Sequence, residues 1–439
     1  MSELPGLTHR CMVQIDLTAS VQDARLGDGG DMKKLCLLAV ATAIVPVAAF
    51  PQIPPPPLRA YADAVSSNQF ALAPDGAHAA FLTDVDGKQV LNILPQGNGL
   101  PALVNVSAIN PKSIGWLGAH HVMMVHQSVV DVPGILPRQV ISQGLSYNIQ
   151  DKKSATLMAN TLRTAPMLTD GHFTTAVIDA RPVVFMRGLT AGPSYDLYSV
   201  DLDTGVGITK EPGQLSSVQW IVTSKGVVVA RVATDSNHRI STYRLHGSQG
   251  WRDFKSNVLG DDSELLGFGR DEGVLAFRRG SDLVEVKIED GTVSEPLQPA
   301  GEYFDGRILA NSSGVMTGAE LTGDVSSYIF FDPRWKAEWA SVIKSFPGAR
   351  IELQDGSDSG GQFLAWIENF KAAGAGAFYY VDLDHGRAEM LREGRAGLTA
   401  DQVAAVRAVD FKATDGLSLR GFLTMPPRGA KRLGCLWSF

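Results

Sequence analysis

Cysteine, clustered basic residues and long apolar runs are all scarce here, and each scarcity excludes a class of protein. The 439 residues include three cysteines, Cys11, Cys36 and Cys435, with no CxxC pair. We therefore expect neither a disulfide scaffold nor a cysteine zinc site, and cysteine content does not decide the compartment. The net charge is −7 and no basic stripe stands out, so we expect no nucleic-acid partner.

The sequence also lacks the motifs of common catalytic sites. No serine occupies the centre of a G-x-S-x-G frame, which a hydrolase uses to expose its nucleophile on a strained turn. The near misses are 356–360, where Asp358 is at the centre, and 416–421, where Ser418 is displaced by one position. Both are interpreted as turns. There is no phosphate-binding or dinucleotide loop, and no cofactor is expected.

Two polar clusters are weak metal-site candidates. His120, His121 and His126 have no acidic neighbour in sequence, and solvated turn histidines are favoured over a zinc site. Asp84 and Asp86 lack the remaining ligands of a calcium loop, so a hairpin turn is the favoured interpretation. No catalytic, cofactor-binding or metal-binding residue is therefore predicted in this chain.

An export signal is predicted near the start. Two lysines after Met32 precede an apolar run over 35–50 that ends in small residues, which is typical of a secretory signal at 32–49. The run is too short for a transmembrane helix. Cleavage after Ala49 would leave a proline-rich leader over 50–60. We interpret 1–31 as lying upstream of the true start at Met32, the alternative being a real extension with an uncleaved apolar helix.

The body, 61–405, has many strand signals and few helix signals. Hydrophobic residues make up 44% and charged residues 19%, as in packed globular proteins, and the 45 glycines indicate many turns. Pro74, Asp75 and Gly76 form a turn signal between apolar segments, which predicts a hairpin.

A short apolar and aromatic strand recurs along this body. Its seven copies lie at 91–94, 147–149, 197–201, 243–245, 283–286, 328–332 and 378–382. Successive copies are 40 to 56 residues apart, and several lead into acidic turns. This spacing predicts an all-β fold, a β-propeller of about seven four-stranded blades, because packing blades in a ring buries faces that one blade leaves exposed. Two stacked β-sandwich domains are the alternative.

One segment follows a helical pattern instead. Apolar residues at Trp335, Trp339, Ile343 and Phe346 are spaced four, four and three apart, and Pro347 follows. We predict a short helix inserted between blade strands, with both tryptophans packed on the propeller rim.

The last part of the chain carries the most specific motif. Residues 409–427 contain two alternating strands around Asp415 and Gly416, ending in Pro426 and Pro427. This hairpin resembles the one that opens the α/β-hydrolase domain in the prolyl oligopeptidase family, and the blade signals at 74–76 and 195–203 resemble that family's propeller. The resemblance covers roughly 61–430. After Lys431 and Arg432 the family pattern is abandoned, as after a frameshift or premature stop, so 406–439 is interpreted as a truncated start of the peptidase domain.

The resemblance implies an exported, periplasmic serine peptidase that hydrolyses short peptides by Ser-His-Asp acyl transfer, with a propeller that restricts substrates to short peptides. The catalytic domain is expected to be missing, so this chain alone is predicted to be inactive. Short peptides are the expected partners of the completed enzyme, and no membrane association is expected after signal cleavage. The sequence predicts no particular oligomeric state. The alternatives are a stand-alone periplasmic propeller that binds a peptide or protein, and a fragment that is degraded.

Overall fold

Short antiparallel strands joined by tight turns make up most of the computed structural model. The described residues are 57–58, 60, 65–97, 99–130, 139–159, 161, 173–190, 194–234, 241–254, 259–260, 263–323, 325–368, 375–395, 397–398, 402–425 and 436–438. The predicted signal, 32–49, and the segment before it lie outside these residues.

The first four sheets have four strands each. Blade 1 consists of β1 (Phe70–Leu72), β2 (His78–Val85), β3 (Lys88–Pro95) and β4 (Ala102–Asn105). Blade 2 consists of β5 (Ser113–Leu117), β6 (His121–Val130), β7 (Gln139–Asn148) and β8 (Lys153–Thr156). Blade 3 consists of β9 (Thr174–Ile178), β10 (Arg181–Leu189), β11 (Tyr195–Asp201) and β12 (Gly207–Glu211). Blade 4 consists of β13 (Ser217–Val222), β14 (Val228–Thr234), β15 (Ser241–Gly247) and β16 (Gly250–Phe254).

Three further sheets complete the series. Blade 5 consists of β17 (Ser263–Phe268), β18 (Val274–Arg279) and β19 (Asp282–Lys287). Blade 6 consists of β20 (Ile308–Ala310), β21 (Met316–Leu321) and β22 (Ser327–Phe330), followed by helix α1 (Pro333–Ser345). Blade 7 consists of β23 (Arg350–Gly356), β24 (Gln362–Glu368), β25 (Ala377–Asp382) and β26 (Arg387–Glu393). The prediction of a seven-bladed antiparallel propeller is confirmed, although blades 5 and 6 each have three regular strands among the described residues.

The recurring aromatic strand of the sequence is the third strand of every blade. Its seven copies fall in β3, β7, β11, β15, β19, β22 and β25. Third strands such as β25 are buried along their whole length, whereas fourth strands such as β12 are mostly exposed. The third strand is therefore constrained to be apolar, and this makes it the most visible part of the repeat.

The hydrophobic core is divided among the contacts between blades. The described residues form seven apolar clusters, and each joins two neighbouring blades. One of them contains Phe70 and Phe81 of blade 1 together with Leu364 and Phe378 of blade 7, so it closes the ring. Among the described residues, blades 1 and 7 share no strand. Side-chain packing and isolated hydrogen bonds therefore hold the two ends of the propeller together.

The predicted helix is present as α1 and ends before Pro347. The Asp332 side chain accepts a hydrogen bond from the Arg334 backbone N–H at 2.8 Å, and Pro333 occupies the first turn. Trp335 and Trp339 are buried, which confirms their packing role.

The predicted apolar stripe is wrong at one position. Ile343 is 50% exposed, and Val342 is buried in its place. At 3.6 residues per turn, Val342 returns to the face of Trp335 after seven residues, whereas Ile343 is rotated away from that face.

The turn between β1 and β2 confirms the predicted hairpin and packs tightly against blade 7. Gly76 has φ +71°, and a Cβ added there would overlap the side-chain amide of Gln362. Gln362 is buried and hydrogen-bonded to Ser357 and Asp384, so it cannot move aside easily. Gly87, in the turn between β2 and β3, has φ +74° with open space around it.

Replacing these two glycines separates backbone strain from steric overlap. We expect Gly87→Ala to lower the free energy of unfolding by about 1 kcal/mol, since only the left-handed backbone opposes a Cβ. Gly76→Ala should cost about 2–4 kcal/mol, because overlap with a fixed side chain is added. Urea unfolding of both variants measures the difference. Equal losses would show that blade 7 does not press on this turn.

A further small sheet follows blade 7. It consists of β27 (Ala405–Lys412), β28 (Ser418–Met425) and β29 (Leu436–Ser438), with β28 in the middle. The turn around Asp415 and Gly416 joins β27 to β28, and the predicted hairpin is confirmed. Residues 436–438 pair with β28, so a third strand completes the hairpin.

Candidate functional site

The seam between blades 1 and 7 brings together residues nearly 300 positions apart. Phe70 stacks on Phe378 with ring centroids 4.1 Å apart. The Arg392 guanidinium, in β26, donates to the Leu82 carbonyl of β2 at 2.9 Å. The Val65 N–H donates to the Gly394 carbonyl at 2.9 Å, just beyond β26. The seam thus combines an aromatic centre with polar contacts along its length.

Asp355 is the most strongly perturbed acid at this seam. Its Oδ2 accepts from the Leu72 N–H of blade 1 at 3.2 Å, and its Oδ1 accepts from its neighbour Gly356 at 2.9 Å. Burial raises the pKa of Asp355 to about 6, although both hydrogen bonds and the positive charge of Arg307 act in the opposite direction. The seam therefore contains a carboxyl group that titrates just below neutral pH.

This shifted pKa predicts a pH-dependent stability difference. The folded pKa lies above the unfolded value of about 3.9, so the native state binds more protons between pH 4 and 6 and loses stability as pH rises. Asp355→Asn cannot ionise. We expect the unfolding free energy of the wild type relative to Asp355→Asn to fall by about 1–2 kcal/mol between pH 4.5 and 7.5.

Urea titrations at the two pH values measure this difference, and Asp86→Asn in an exposed turn is the matched control. Asp86 has an exposed side chain at the tip of the β2–β3 hairpin. Its substitution should leave the pH dependence of stability unchanged. A wild-type and Asp355→Asn difference that stays constant with pH would contradict the assignment.

A second acidic cluster lies at the end of β25. Asp382 is fully buried, its Oδ2 lies 2.8 Å from His385 Nδ1, and it accepts from the Gly97 N–H of blade 1 at 3.4 Å. The Gln362 amide donates to Asp382 Oδ1 at 3.3 Å and to Asp384 Oδ2 at 2.8 Å. These carboxylates are occupied by structural hydrogen bonds. From the sequence, Asp382 and Asp384 could be predicted only to lie in an acidic turn after the recurring strand.

The predicted turn is present at 357–360, whereas Ser418 is the first residue of strand β28. Ser357 is completely buried, and its Oγ donates to the Gly360 carbonyl at 2.7 Å. The Asp358 backbone N–H donates to the Pro74 carbonyl of blade 1 at 2.7 Å. Ser418 is exposed at the start of β28. A buried hydroxyl held by its own turn has no access to a substrate.

The interpretation of the histidines as solvated turn residues is wrong for two of the three. His121 begins β6, is 4% exposed and places Nε2 2.8 Å from Asp203 Oδ1 of blade 3. Asn148 also donates to Asp203 at 3.0 Å, and these hydrogen bonds, His121 first, lower the pKa of Asp203. His126 lies within β6 and is half-buried, while His120 is exposed. The acidic partner of His121 is 82 residues away in sequence and could not be seen there.

Neither histidine–carboxylate pair forms part of a nucleophilic site. Within the described residues, no serine hydroxyl hydrogen-bonds to His121 or His385, so the relay of nucleophile, base and orienting acid is incomplete. That part of the chain also contains no group of three or more potential metal-ligating His, Cys, Asp or Glu side chains. None of its helices is sufficiently long and apolar to cross a membrane.

The hairpin of β27 and β28 presents an unusual surface. Val406 and Leu417 are each 59% exposed, and Leu423 is buried. A small sheet with exposed apolar residues is marginally stable in isolation, and such surfaces mark contacts with further structure. The hairpin is thus a candidate contact surface for further structure.

Comparisons with known proteins support the fold, and the matches come from solved structures. No protein-family model matches the sequence, and no curated protein matches it. The structure of a Mycobacterium tuberculosis puromycin-hydrolyzing peptidase matches with a TM-score of 0.50 and 13% identity, over 84% of this chain and 59% of that chain. A post-proline cleaving enzyme from Rickettsia typhi matches with a TM-score of 0.49 and 10% identity, over 81% of this chain and 57% of that chain.

The likeness to the puromycin-hydrolyzing peptidase confirms the resemblance at the level of the fold. The matched solved structures are peptidases of the prolyl oligopeptidase family, and the match covers the propeller of this chain. The chain spans about three fifths of the length of the two peptidases.

Proposed function

We propose that this chain is the propeller portion of an exported serine peptidase of the prolyl oligopeptidase family, whose α/β-hydrolase domain is encoded downstream of about Ala430. The observation that carries the proposal is the hairpin of β27 and β28. It follows the last blade directly, and its sequence resembles the family's opening hairpin. Its exposed Val406 and Leu417 would be covered by the rest of such a domain.

The chemistry of the complete protein would be acyl transfer. A serine would attack the peptide carbonyl, a histidine would accept its proton, an aspartate would orient the histidine, and backbone N–H groups would stabilise the oxyanion. None of these roles is assigned to a residue of this chain. The ring of blades would cap that site and restrict substrates to short peptides.

Sequencing the gene downstream of the codon for Phe439 tests the proposal. About 1,000 bases cover a domain of about 250 residues. We expect a shifted reading frame to encode an apolar strand, an oxyanion loop and a G-x-S-x-G motif. Extended protein expressed from that frame should cleave a short acylated peptide p-nitroanilide, whereas this chain alone should not. Downstream sequence without such a frame, or hydrolysis by the purified chain itself, would refute the proposal.

Export is a separate part of the proposal with its own measurement. We expect the mature protein to be recovered from the periplasmic fraction with Phe50 as its first residue, since the small residues before it suit signal cleavage. Mass spectrometry of the N-terminal peptide distinguishes this from a retained segment 1–31. Recovery of peptides from that segment in the native protein would show that translation starts upstream of Met32.

A further inference from the structure

Blade 6 differs from the others at its outer edge. In blade 5, residues after β19 cover the edge of the third strand, since the Ser294 N–H donates to the Glu285 carbonyl at 2.8 Å. In blade 6, helix α1 follows β22 immediately and no strand takes the fourth position. This is the one blade whose third strand has no backbone partner along its outer side, within the part of the chain that the structure describes.

The pairing register shows which backbone groups are left open. The Phe331 N–H donates to the Thr317 carbonyl of β21 at 2.9 Å. Because backbone groups alternate in direction along a strand, Ile329 also directs its N–H and C=O groups toward β21. Tyr328 and Phe330 therefore direct their N–H and C=O groups to the outer side. Neither forms a backbone hydrogen bond there with the described residues. Open groups of this kind are a template for an added strand.

An apolar groove adjoins this open edge. It has a volume of about 610 Å³ and lies between β22, the outer face of α1 and the start of β23. Tyr328, Trp339 and Ile351 contribute to its lining, and Ile343 and Val325 leave about half of their side chains exposed along it. The volume falls within the range of about 300–1,000 Å³ that ligand sites occupy. The groove can thus accept apolar side chains of a strand that pairs with β22.

The charges around the groove indicate which charge a bound molecule should carry. Among the described residues, its lining includes Lys336 and Arg350 and no carboxylate. Arg350 is paired with Glu352 at 2.7 Å and with Glu368 at 3.6 Å. Lys336 forms no ion pair with the described residues, so its ammonium group favours an acidic residue on the occupant.

We propose that this groove binds an extended peptide segment of a partner protein, which adds a fourth strand to blade 6, places apolar side chains in the groove and sets a carboxylate beside Lys336. Main-chain hydrogen bonds to Tyr328 and Phe330 would supply affinity, and the alternate side chains would supply specificity. A second copy of this chain fits less well, because edge-to-edge pairing would bring the two Lys336 side chains toward each other. The proposal does not depend on a hydrolase domain.

A labelled probe peptide tests the inference on the purified chain. The probe is fluorescein-Thr-Leu-Thr-Leu-Thr-Asp, which alternates apolar and polar side chains and ends with an acid. We expect saturable binding by fluorescence anisotropy with a Kd on the order of 10–100 μM. The same peptide with all backbone amides methylated keeps its side chains but cannot donate to β22, and it should bind at least about tenfold more weakly.

Protein variants locate the site. Ile343→Asp should weaken binding at least about tenfold. Ile208→Asp, on the exposed strand β12 of blade 3, is the matched control and should leave binding unchanged, since Ile208 is 69% exposed. Lys336→Glu should reverse the preference between the probe and its Asp-to-Lys version. This exposed position supplies a second test if Ile343→Asp unfolds the protein.

Three outcomes would overturn the proposal. They are no saturable binding of the probe, equal binding of the methylated peptide, and equal binding by Ile343→Asp when its thermal unfolding is unchanged. Sedimentation that shows a dimer dissociated by Ile343→Asp would also overturn it, because the occupant would then be a second copy.

Discussion

Phe378→Ala is expected to lower the free energy of unfolding by about 3–5 kcal/mol, the range for deleting a buried aromatic ring. Phe378 is 4% exposed and packs between Phe70 of blade 1 and Trp366 of its own blade, with ring centroids at 4.1 and 4.8 Å. Because blades 1 and 7 share no strand among the described residues, the apolar cluster that contains this packing is what closes the ring.

The location of the loss distinguishes ring closure from general destabilisation. Hydrogen exchange in Phe378→Ala should accelerate in blades 1 and 7 before it does so in blade 4, since local opening begins where contacts are removed. Tyr303→Ala removes an aromatic ring that is 65% exposed, and its effect on stability should stay within about 0.5 kcal/mol. Uniform acceleration over all blades would contradict a seam held by this cluster.

Arg270→Ala is expected to cost about 2–4 kcal/mol, because it leaves the charge of Glu285 buried without its partner. Glu285 is 5% exposed in the third strand of blade 5. The Arg270 guanidinium donates to both of its carboxylate oxygens, with Nη2–Oε2 at 2.7 Å, and this interaction raises the pKa of Arg270. About half of the Arg270 side chain is exposed, so water replaces part of the lost interaction.

Two further variants make this prediction specific. Arg278→Ala breaks an exposed pair with Glu264 in the same blade and should cost less than about 1 kcal/mol. Adding Glu285→Gln to Arg270→Ala should recover more than half of the lost unfolding free energy. The second substitution removes the buried charge and retains a side-chain oxygen that accepts from the backbone N–H of residue 270. Urea unfolding measures all of these, and a double variant no more stable than Arg270→Ala would contradict a charge-based cost.

The sequence predicts the blades well because their signals are local. The turn at Pro74 to Gly76 and the acidic turns after the third strands each depend on neighbouring residues with a defined backbone preference. Third strands such as β19 and β25 stand out because most of their residues are buried on both faces. Fourth strands such as β4 and β12 are mostly exposed and need no apolar pattern. The lack of regular fourth strands in blades 5 and 6 therefore could not be predicted from the sequence.

The local pattern also sets the limits of the helix prediction. The cap at Asp332 and the position of α1 follow from adjacent residues. The buried face of the helix does not follow from adjacent residues. Residues spaced four apart are each rotated slightly around the helix, whereas the core that the helix contacts is fixed by blades 6 and 7. Val342 rather than Ile343 completes the stripe for that reason, and the displaced Ile343 becomes part of the groove.

The sequence by itself determined the number of blades, their antiparallel strands, the helix and the hairpin, because each depends on residues within a few positions of one another. The tertiary structure alone decided how the ring closes, that His121 meets Asp203, and that a groove borders the open edge of blade 6. These features join segments that a ring brings together regardless of their separation, as when Asp355 accepts from Leu72 across 283 positions. A linear pattern contains no record of such contacts, since the same turn and strand signals are compatible with many partners.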